Sequence, residues 1–530
     1  MKKLFYIIIC LIVVSCGTIK FVGNPVYAPL VSYEKMGPLS EYQKKFWHLL
    51  DLRKDSIAGM SVERAHEELI KGQKGKRVIV AVIDSGVDIE HPGLRDVIWV
   101  NQNEIPNNNI DDDQNGYVDD VHGWNFLGDS ELENMESVRL QKKEVPGSEA
   151  YEKLERERLE YIKSKKRELN NLESLTNRFQ VTDSLIKVTL GKENYTLKDI
   201  EDFSPKSFAL IEALIFRRFL EENKLTKSKL DNYLKGAQRG IYAHYNIDFD
   251  GRSIVGDNPD DINDTDYGNG NVIGPNKEGA NHGTHVSGII ASSRSNDIGN
   301  KGIYDSVEIM VLRAIPDGDE YDKDVALAIR YAVDNGAKVV NTSFGKGYSP
   351  HKDWVWEALK HAEKNDVLIV NAAGNSAANI NPGNQKTYVT DEVDGKEIVS
   401  NFLTVGAVGS SYSKKQVASF SNFGSINVDV FAPGHKIWSC IPFEKHQYYS
   451  GTSMAAPNTS GVAAVIRSFF PKMKAHQVKK TLMDSGMPMH PNLERPASSE
   501  LVNPKKLSKS GKVVNLYNAL IYASKKAYRK

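Results

Sequence analysis

The sequence has few cysteines, with three among 530 residues at positions 10, 16 and 440. Two of them lie in the first 16 residues, which have the pattern of an export signal, so Cys440 is the only thiol in the rest of the chain. An intrachain disulfide framework is therefore excluded. The fold has to be stabilised by packing and by ionic contacts.

An excess of charge is also missing. The 68 basic and 68 acidic residues give a formal net charge of zero, and no basic stripe stands out. This balance argues against nucleic acid as a partner. No apolar strand is followed by G-x-G-x-x-G, which excludes a dinucleotide-binding protein. We expect a monomer.

The N-terminus lacks an apolar run of membrane-spanning length. Lys2 and Lys3 precede only residues 4–14, too short for a span, and the pattern is typical of a cleaved secretory signal. Val13-Val14-Ser15-Cys16 resembles a bacterial lipobox, in which Cys16 becomes the lipidated first residue of the mature chain. This predicts a membrane-anchored lipoprotein at the outer membrane or cell surface. The alternative is a simple secretory peptide with Cys16 unmodified.

What the sequence does contain is a stretch suited to displaying a nucleophile. Residues 451–470 read GTSMAAPNTSGVAAVIRSFF, with small residues first and an apolar helical run after them. Ser453 is expected at the helix N-terminus, and Pro457 is expected to interrupt the helix early. Taken alone, the string is also compatible with a small-residue helix packed in a core.

Two upstream segments supply partners for this serine. Residues 77–83 (RVIVAVI) indicate a buried parallel strand that ends at Asp84, and acids at strand ends face the ligand crevice of open α/β sheets. Residues 281–288 (NHGTHVSG) place His282 and His285 before an apolar helix. The chain order is therefore Asp, His, Ser.

DSGVD, HGTHVSG and GTSMAAP resemble the three signature blocks of the subtilases, the subtilisin-like serine endopeptidases. The resemblance covers roughly residues 75–128 and 245–525. It implies that Ser453 is the nucleophile, His282 the general base and Asp84 the residue that orients the base, whereas His285 is a packing residue. It also implies an acyl-enzyme intermediate on Ser453.

The same resemblance assigns an oxyanion donor and a substrate edge. Residues 367–375 (VLIVNAAGN) indicate a strand that runs into Asn375, which matches the oxyanion asparagine; a plain turn residue is the alternative. The segment Ser343, Phe344 and Gly345 is expected to pair with an extended polypeptide substrate, and Phe344 to narrow the subsite. The substrate-binding residues are expected to include also Ala373 and Gly374.

An acidic loop, residues 107–120 (NNNIDDDQNGYVDD), predicts a structural calcium ion. Asp111, Asp113 and Asn115 alternate before a glycine, as in the first half of an EF-hand loop, with Asp119 following. The loop lacks the bidentate glutamate of that motif and is similar to a calcium loop of some subtilases. A solvated acidic turn is the alternative. A second acidic group is irregular and predicted to be solvated; it comprises Asp248, Asp250, Asp257, Asp260 and Asp261.

The predicted fold class is α/β, with a doubly wound, mostly parallel sheet flanked by helices and a charged helical insertion. The expected organisation is a signal at 1–16, a lead-in at 17–75, a first catalytic part at 76–128, the insertion at 129–244 and a second catalytic part at 245–530. The insertion predicts helices with one apolar stripe, because the following residues recur at spacings of three, four and seven: Ile162, Leu169, Leu172, Leu175 and Phe179.

The predicted function is hydrolysis of peptide bonds in extended polypeptides. One rival is a catalytically silent surface protein that uses the same fold for binding. Another is an esterase or peptide transferase with the same acyl chemistry. The complete set of catalytic residue types disfavours the silent binding protein. A comparison of ester with protein substrates distinguishes the esterase or transferase from the endopeptidase.

Overall fold

A computed structural model describes residues 19–27, 37–203, 207–294 and 299–527. Cys16 lies outside these ranges. The strands, in chain order, are β1 Val78–Asp84, β2 Gly123–Asn125, β3 Val307–Arg313, β4 Val339–Thr342, β5 Leu368–Ala372, β6 Glu392–Val393, β7 Lys396–Glu397, β8 Phe402–Val408, β9 Val430–Pro433, β10 Ile437–Ile441, β11 Lys445–Tyr449, β12 Met487–Pro488, β13 Leu493–Glu494, β14 Leu501–Val502 and β15 Lys512–Val513.

Nine strands form one sheet in the order β12-β15-β9-β8-β5-β4-β1-β3-β2. Every neighbouring pair is parallel except β12 with β15. After β1 the chain forms β2 and β3 on one side of β1, and it then returns to form β4 on the other side. The strand order therefore reverses at β1. A crevice therefore opens at the carboxyl ends of β1 and β4, where open α/β sheets bind ligands.

The sheet is buried on both faces because its strands are apolar throughout. In β1, Val80 and Val82 belong to one core cluster, and Ala81 and Ile83 belong to the cluster on the opposite face. This alternation follows from the two-residue period of a strand. The predicted doubly wound architecture is confirmed.

The helices, in chain order, are α1 Glu41–Phe46, α2 Val62–Ala65, α3 Glu136–Lys143, α4 Glu149–Leu190, α5 Leu197–Asp202, α6 Phe208–Glu222, α7 Lys227–Arg239, α8 Asn281–Ala291, α9 Asp322–Asp334, α10 Lys352–Lys364, α11 Thr452–Phe469, α12 Ala475–Ser485 and α13 Leu516–Ala527. Among the described residues, none of the helices is both long enough and apolar enough to cross a membrane.

The expected interruption of α11 by Pro457 is wrong. The helix continues through Pro457 from Thr452 to Phe469. Proline has no N–H to bond the carbonyl four residues earlier, that of Ser453. That carbonyl instead accepts a hydrogen bond from the Ser343 hydroxyl at 3.0 Å. The helix is also buried on all sides, so packing outweighs the lost backbone hydrogen bond.

The insertion is helical, as predicted. Its longest helix, α4, has 42 residues, which corresponds to about 63 Å at 1.5 Å per residue. The five apolar residues of the predicted stripe are all half-buried. Ile186, Ile200 and Ala213 form a small core of their own. The insertion therefore has one buried side and one solvated side.

The second acidic group is not simply solvated. The Asp257 side chain is fully buried and pairs with Arg252 at 2.6 Å and with Lys323 at 2.6 Å. Asp260 pairs with Lys143 and His351. The spacing of the charges along the sequence does not predict these ion pairs. Arg252 and Lys323 lie 71 positions apart, and only the fold brings both of them to Asp257.

Candidate active site

Asp84 and His282 meet at the carboxyl end of β1. The His282 Nδ1 atom lies 2.8 Å from Asp84 Oδ1 and 3.0 Å from Oδ2. A carboxylate only accepts hydrogen bonds, so Nδ1 carries the proton and Nε2 keeps its lone pair. Gly283 allows this approach of α8 to β1, since a Cβ there would lie 3.1 Å from Asp84 Cβ. The geometry suits an imidazole that accepts a proton at Nε2.

The surroundings of His282 favour its protonated form. Burial acts to lower the pKa of His282, but the charge of Asp84 and its hydrogen bond outweigh burial, so the pKa is raised above its ordinary value. The Asp84 side chain is buried, whereas 39% of the His282 side chain is exposed. The imidazole is thus held from the protein side and open toward the crevice.

Ser453 is the second residue of α11 and is partly exposed. Its hydroxyl makes no hydrogen bond to His282 within 3.5 Å. Helix α11 packs against α8, and Tyr449 just before the serine donates a hydrogen bond to Asn281 Oδ1 at 2.6 Å. These contacts bring the serine segment and the histidine segment together at one end of the sheet. Hydrogen bonds of this kind are often long before substrate binds.

The amide of Asn375 has a fixed orientation. Its Oδ1 accepts from the Thr452 backbone N–H at 2.8 Å and from the Thr452 hydroxyl at 3.1 Å. A backbone N–H can only donate, so the oxygen must occupy this position and the NH2 group faces away from Thr452. The Thr452 hydroxyl in turn accepts from Gly374 N–H at 3.0 Å.

Two N–H donors flank the space beside Gly451. A Cβ at position 451 would lie 3.5 Å from Asn375 Nδ2 and 3.6 Å from the Ser453 backbone nitrogen. The Ser453 N–H has no partner within its helix, because it belongs to the first turn of α11. The absence of a side chain at Gly451 leaves room there for an oxygen atom between both donors. Thr452 and Gly451 were not assigned these roles from the sequence, although both lie in the GTSMAAP block.

The predicted substrate segment continues β4. Just beyond it, Lys346 exchanges two backbone hydrogen bonds with Tyr388, both 2.9 Å long. Backbone groups of successive strand residues point to opposite edges, so Gly345 and Ser343 present theirs on the edge away from Tyr388. Phe344 is partly buried and packs on the sheet core. Ala373 is buried beside Asn375, and Gly374 has a φ of +98° that favours glycine.

The acidic loop brings three carboxylates together. Glu104, Asp113 and Asp120 each offer an oxygen, and the three oxygens lie within 4.8 Å of one another. Of the predicted metal residues, only Asp113 belongs to this group. Asp111 accepts from the backbone of Asn115 and Gly116.

Asp119 and Asn115 have other partners as well. Asp119 accepts from the backbone of Asn108 and Asn109, and Asn115 donates to Asp120 at 2.8 Å. Glu104 was missed because it precedes the acidic loop. The only indication in the sequence was that Glu104 is a carboxylate three residues before the acidic loop begins.

His285 is buried, as expected for a packing residue. Its ring stacks on Tyr449, and Nε2 lies 3.0 Å from the Gln447 carbonyl. Burial lowers the pKa of His285 to about 3, so it is neutral. It anchors the β10–β11 hairpin on α8.

Comparison with known proteins agrees with this geometry. A family model described as the subtilase family matches residues 75–511. The thermophilic serine proteinase of Bacillus sp. (strain AK1) is 38% identical over 189 residues, which cover 36% of this chain and 43% of that protein. Subtilisin DY of Bacillus licheniformis is 32% identical over 210 residues, which cover 39% of this chain and 70% of that protein.

A solved structure of a cold adapted subtilisin-like serine proteinase is 27% identical and covers 44% of this chain and 74% of that one, with a TM-score of 0.34, too low to carry an argument. The match to the thermophilic serine proteinase of strain AK1 covers 43% of that protein, so this chain spans less than half of its length. The family match, however, extends over most of the described chain. The chain belongs to the subtilase family.

Proposed function

We propose that this protein is a serine endopeptidase that cleaves extended polypeptides through an acyl-enzyme intermediate on Ser453. The observation that carries the proposal is the pair of donors beside Gly451. Asn375 Nδ2 and the Ser453 N–H converge on a small open space at the nucleophile, as required for stabilising an oxyanion. A binding protein has no need of such a space.

In the first half of the reaction, His282 Nε2 takes the proton of the Ser453 hydroxyl as the oxygen attacks the substrate carbonyl. Asp84 holds the Nδ1 proton in place and stabilises the imidazolium. The carbonyl oxygen becomes an oxyanion and accepts from Asn375 and the Ser453 N–H. His282 then gives its proton to the leaving amine. In the second half, water repeats the attack with His282 as base.

Polypeptide recognition is proposed to use strand addition. The backbone groups of Ser343 and Gly345 on the free edge would bond any extended chain, whatever its side chains. Peptide substrates with single N-methyl groups test this. Methylation of a paired amide is expected to lower kcat/KM, whereas methylation of an unpaired neighbour is not; a uniform response to all positions would contradict strand addition.

The function is tested by incubating the full chain with an unstructured protein and mapping the cleavage sites by mass spectrometry. Cleavage that is lost in Ser453→Ala and retained in the exposed-site control Ser253→Ala supports an endopeptidase. No cleavage by the wild type argues for the silent rival, whereas undiminished cleavage by Ser453→Ala would show that Ser453 is not the nucleophile. Turnover of esters without any peptide cleavage argues for the esterase.

We also propose that the acidic loop holds a calcium ion. Glu104 Oε2 is buried and has no hydrogen-bond partner, and burial raises the pKa of Glu104 and of Asp120. Three carboxylates in one place repel one another unless a cation is present, and oxygen ligands are those that Ca²⁺ prefers. The ion would be held by Glu104, Asp113 and Asp120 and would stabilise the loop after β1.

For localisation we propose a lipid anchor on Cys16, supported by the lipobox-like Val13-Val14-Ser15-Cys16. Metabolic labelling with a fatty-acid analogue in a bacterial host is expected to modify the wild-type chain and not Cys16→Ser. Labelling of both proteins, or of neither, would contradict the anchor.

A further inference from the structure

A second group of metal-binding side chains lies apart from both the proposed active site and the acidic loop. His91 lies in the turn after β1, Cys440 on β10 and His446 on β11. Each offers one ligand atom, and the three atoms lie within 4.8 Å of one another. Cys440 and His446 are directly opposite each other in the hairpin, so their side chains leave it on the same face. Distant parts of the chain thus present two imidazoles and a thiol to one point.

The space between these ligands exists because residue 93 is a glycine. A Cβ at position 93 would lie 3.1 Å from Cys440 Sγ and 3.2 Å from His91 Nδ1. Two of the potential ligand atoms therefore face the same gap. The His91 and His446 rings meet edge to face with centroids 5.5 Å apart, and the His446 ring is stacked on Trp438. These contacts limit how far the imidazoles can turn away.

One of the potential ligand atoms has no protein partner. His446 Nε2 is buried and makes no hydrogen bond. Since Nε2 has no protein partner, its lone pair in the neutral imidazole is free to bind an ion. Cys440 Sγ has two hydrogen-bond partners at distances usual for sulfur, Asn300 Nδ2 at 3.5 Å and Ser292 Oγ at 3.7 Å. A buried imidazole nitrogen without a partner is costly unless something binds it.

The two nitrogens of His91 have different surroundings. Nε2 lies 3.4 Å from the Lys445 carbonyl, and Nδ1 lies 3.0 Å from the Gly93 backbone nitrogen. A carbonyl can only accept, so Nε2 carries the proton, and the Nδ1 lone pair accepts the Gly93 N–H. A metal ion bound at Nδ1 would have to displace this hydrogen bond. Metal-bound histidines usually donate their other N–H to such an acceptor, which fixes the ring.

We propose that His91, Cys440 and His446 bind a divalent transition-metal ion of the zinc class. Imidazole and thiolate ligands select Zn²⁺ and its neighbours over Ca²⁺ and Mg²⁺. Zn–N and Zn–S bonds of about 2.0–2.3 Å put ligand atoms roughly 3.3–3.8 Å apart in a tetrahedron, so the group has to contract by at most about 1.5 Å from separations within 4.8 Å. The ion replaces the thiol proton of Cys440, which leaves to solvent, and water completes the coordination.

Such a site would join the segment that follows Asp84 to the segment that precedes the proposed nucleophile, Ser453. His91 lies seven residues after Asp84, and β11 ends two residues before Gly451. A metal ion there would clamp the hairpin to the turn after β1. This proposal does not depend on the proposed protease activity, because metal binding is measured directly.

The test is a titration of the full chain, freed of metal with a chelator, with Zn²⁺ and with Co²⁺. We expect one cobalt ion to produce a thiolate-to-cobalt charge-transfer band in the near ultraviolet. The band reports the thiolate alone, so an ion in the acidic loop does not interfere. Zinc is expected to displace the cobalt and to raise Tm by several degrees.

Variants decide the assignment. Cys440→Ser is expected to abolish the band, and His446→Gln to weaken cobalt binding at least tenfold. The exposed-site control His476→Ala should bind as the wild type does. Circular dichroism identifies any variant that fails to fold, and His446→Gln, which keeps a polar side chain, then carries the decision. The absence of a band in the wild type, its persistence in Cys440→Ser, or unchanged affinity in a folded His446→Gln would overturn the proposal.

Discussion

The hydroxyl of Ser343 donates a hydrogen bond to the backbone carbonyl of Ser453 at 3.0 Å. Ser343 Oγ also accepts from Asn341 Nδ2 at 2.9 Å, and Asn341 Oδ1 accepts from the Ser460 hydroxyl at 2.9 Å. These hydrogen bonds join the end of β4, where we propose that substrate binds, to the start of α11, which carries the proposed nucleophile. Pro457 makes the bond from Ser343 possible by leaving the Ser453 carbonyl free.

Ser343→Ala should therefore destabilise the protein and misplace the nucleophile. The substitution leaves the partly buried Ser453 carbonyl and the buried Asn341 amide without partners. The expected cost is about 1–3 kcal/mol in the free energy of unfolding. Urea unfolding measures this, and kcat is expected to fall as well. The exposed-site control Ser253→Ala should change stability by less than about 0.5 kcal/mol. Equal effects of both substitutions would contradict the role of Ser343.

Gly451→Ala should lower turnover without unfolding the protein. The φ of Gly451 is 169°, extended backbone that alanine also adopts, and the added methyl group has ordinary contacts of 3.5 Å and more. It would, however, occupy the space between Asn375 Nδ2 and the Ser453 N–H.

We expect kcat to fall by about 10²–10³, the cost measured in subtilisin for losing one oxyanion donor. Tm should stay within a few degrees of the wild type, and KM should change little. Unchanged kcat in the folded variant would show that the oxyanion does not lie beside Gly451.

The pH dependence of activity should report the raised pKa of His282. The imidazole must be neutral to act as base, so kcat/KM is expected to rise with pH through this pKa, which lies above the ordinary value of about 6.5. The stabilisation from the Asp84 pair has the opposite trend. This stabilisation is fully present below the pKa that His282 has in the unfolded protein. It is lost as pH rises through the higher pKa that His282 has in the folded protein.

Asp84→Asn should move this acid limb to lower pH, because the charge that raises the pKa is gone. The rate should also fall, by roughly 10⁴, because the asparagine favours the wrong tautomer. A profile that stays in place after this substitution would show that the limb belongs to another group.

Lys346→Met should weaken the attachment of the insertion to the catalytic core. The buried Lys346 Nζ pairs with Glu136 of α3 at 2.7 Å and with Asp322 of α9 at 2.9 Å. Its removal leaves the buried Asp322 carboxylate without a cationic partner and leaves Glu136 paired with Arg139 alone. Breaking a buried ion pair costs about 3–5 kcal/mol.

The matched control is Lys227→Met, whose pair with Asp231 is exposed and worth at most about 1 kcal/mol. Chemical denaturation followed by circular dichroism compares the two variants. A loss at Lys346 no larger than that at Lys227 would refute this structural role.

Asp113→Asn should abolish the stabilisation by calcium. For wild type, we expect a chelator to lower Tm and added Ca²⁺ to restore it, whereas the variant should respond to neither. The control Asp231→Asn, in the insertion, should behave as the wild type does. A calcium response that survives in Asp113→Asn would place the ion elsewhere or exclude it.

Local patterns predicted the elements that carry the site. The apolar run at 77–83 predicted β1, and the small-residue blocks predicted where Asp84, His282 and Ser453 lie. The structure confirms the strand and brings Asp84 and His282 into contact. Such features are readable because each depends on a few consecutive residues.

The features that were missed depend on contacts between distant residues. Asp111 and Asp119 accept hydrogen bonds from their own loop, so Glu104 and Asp120 are the residues that meet Asp113. Likewise, Pro457 fits inside α11 because the helix is packed on all sides and because Ser343, 114 positions earlier, satisfies the freed carbonyl. Spacing within one segment contains no information about such partners.

The proposed covalent step on Ser453 can be tested directly. The full chain is mixed with an activated ester that deacylates slowly, quenched in acid and digested, and the peptide containing residues 451–470 is weighed by mass spectrometry. We expect one acyl group per molecule on Ser453, a matching burst of leaving group, and neither in Ser453→Ala. Acylation of a different residue, or turnover of the ester without a burst or an adduct, would contradict a nucleophilic Ser453.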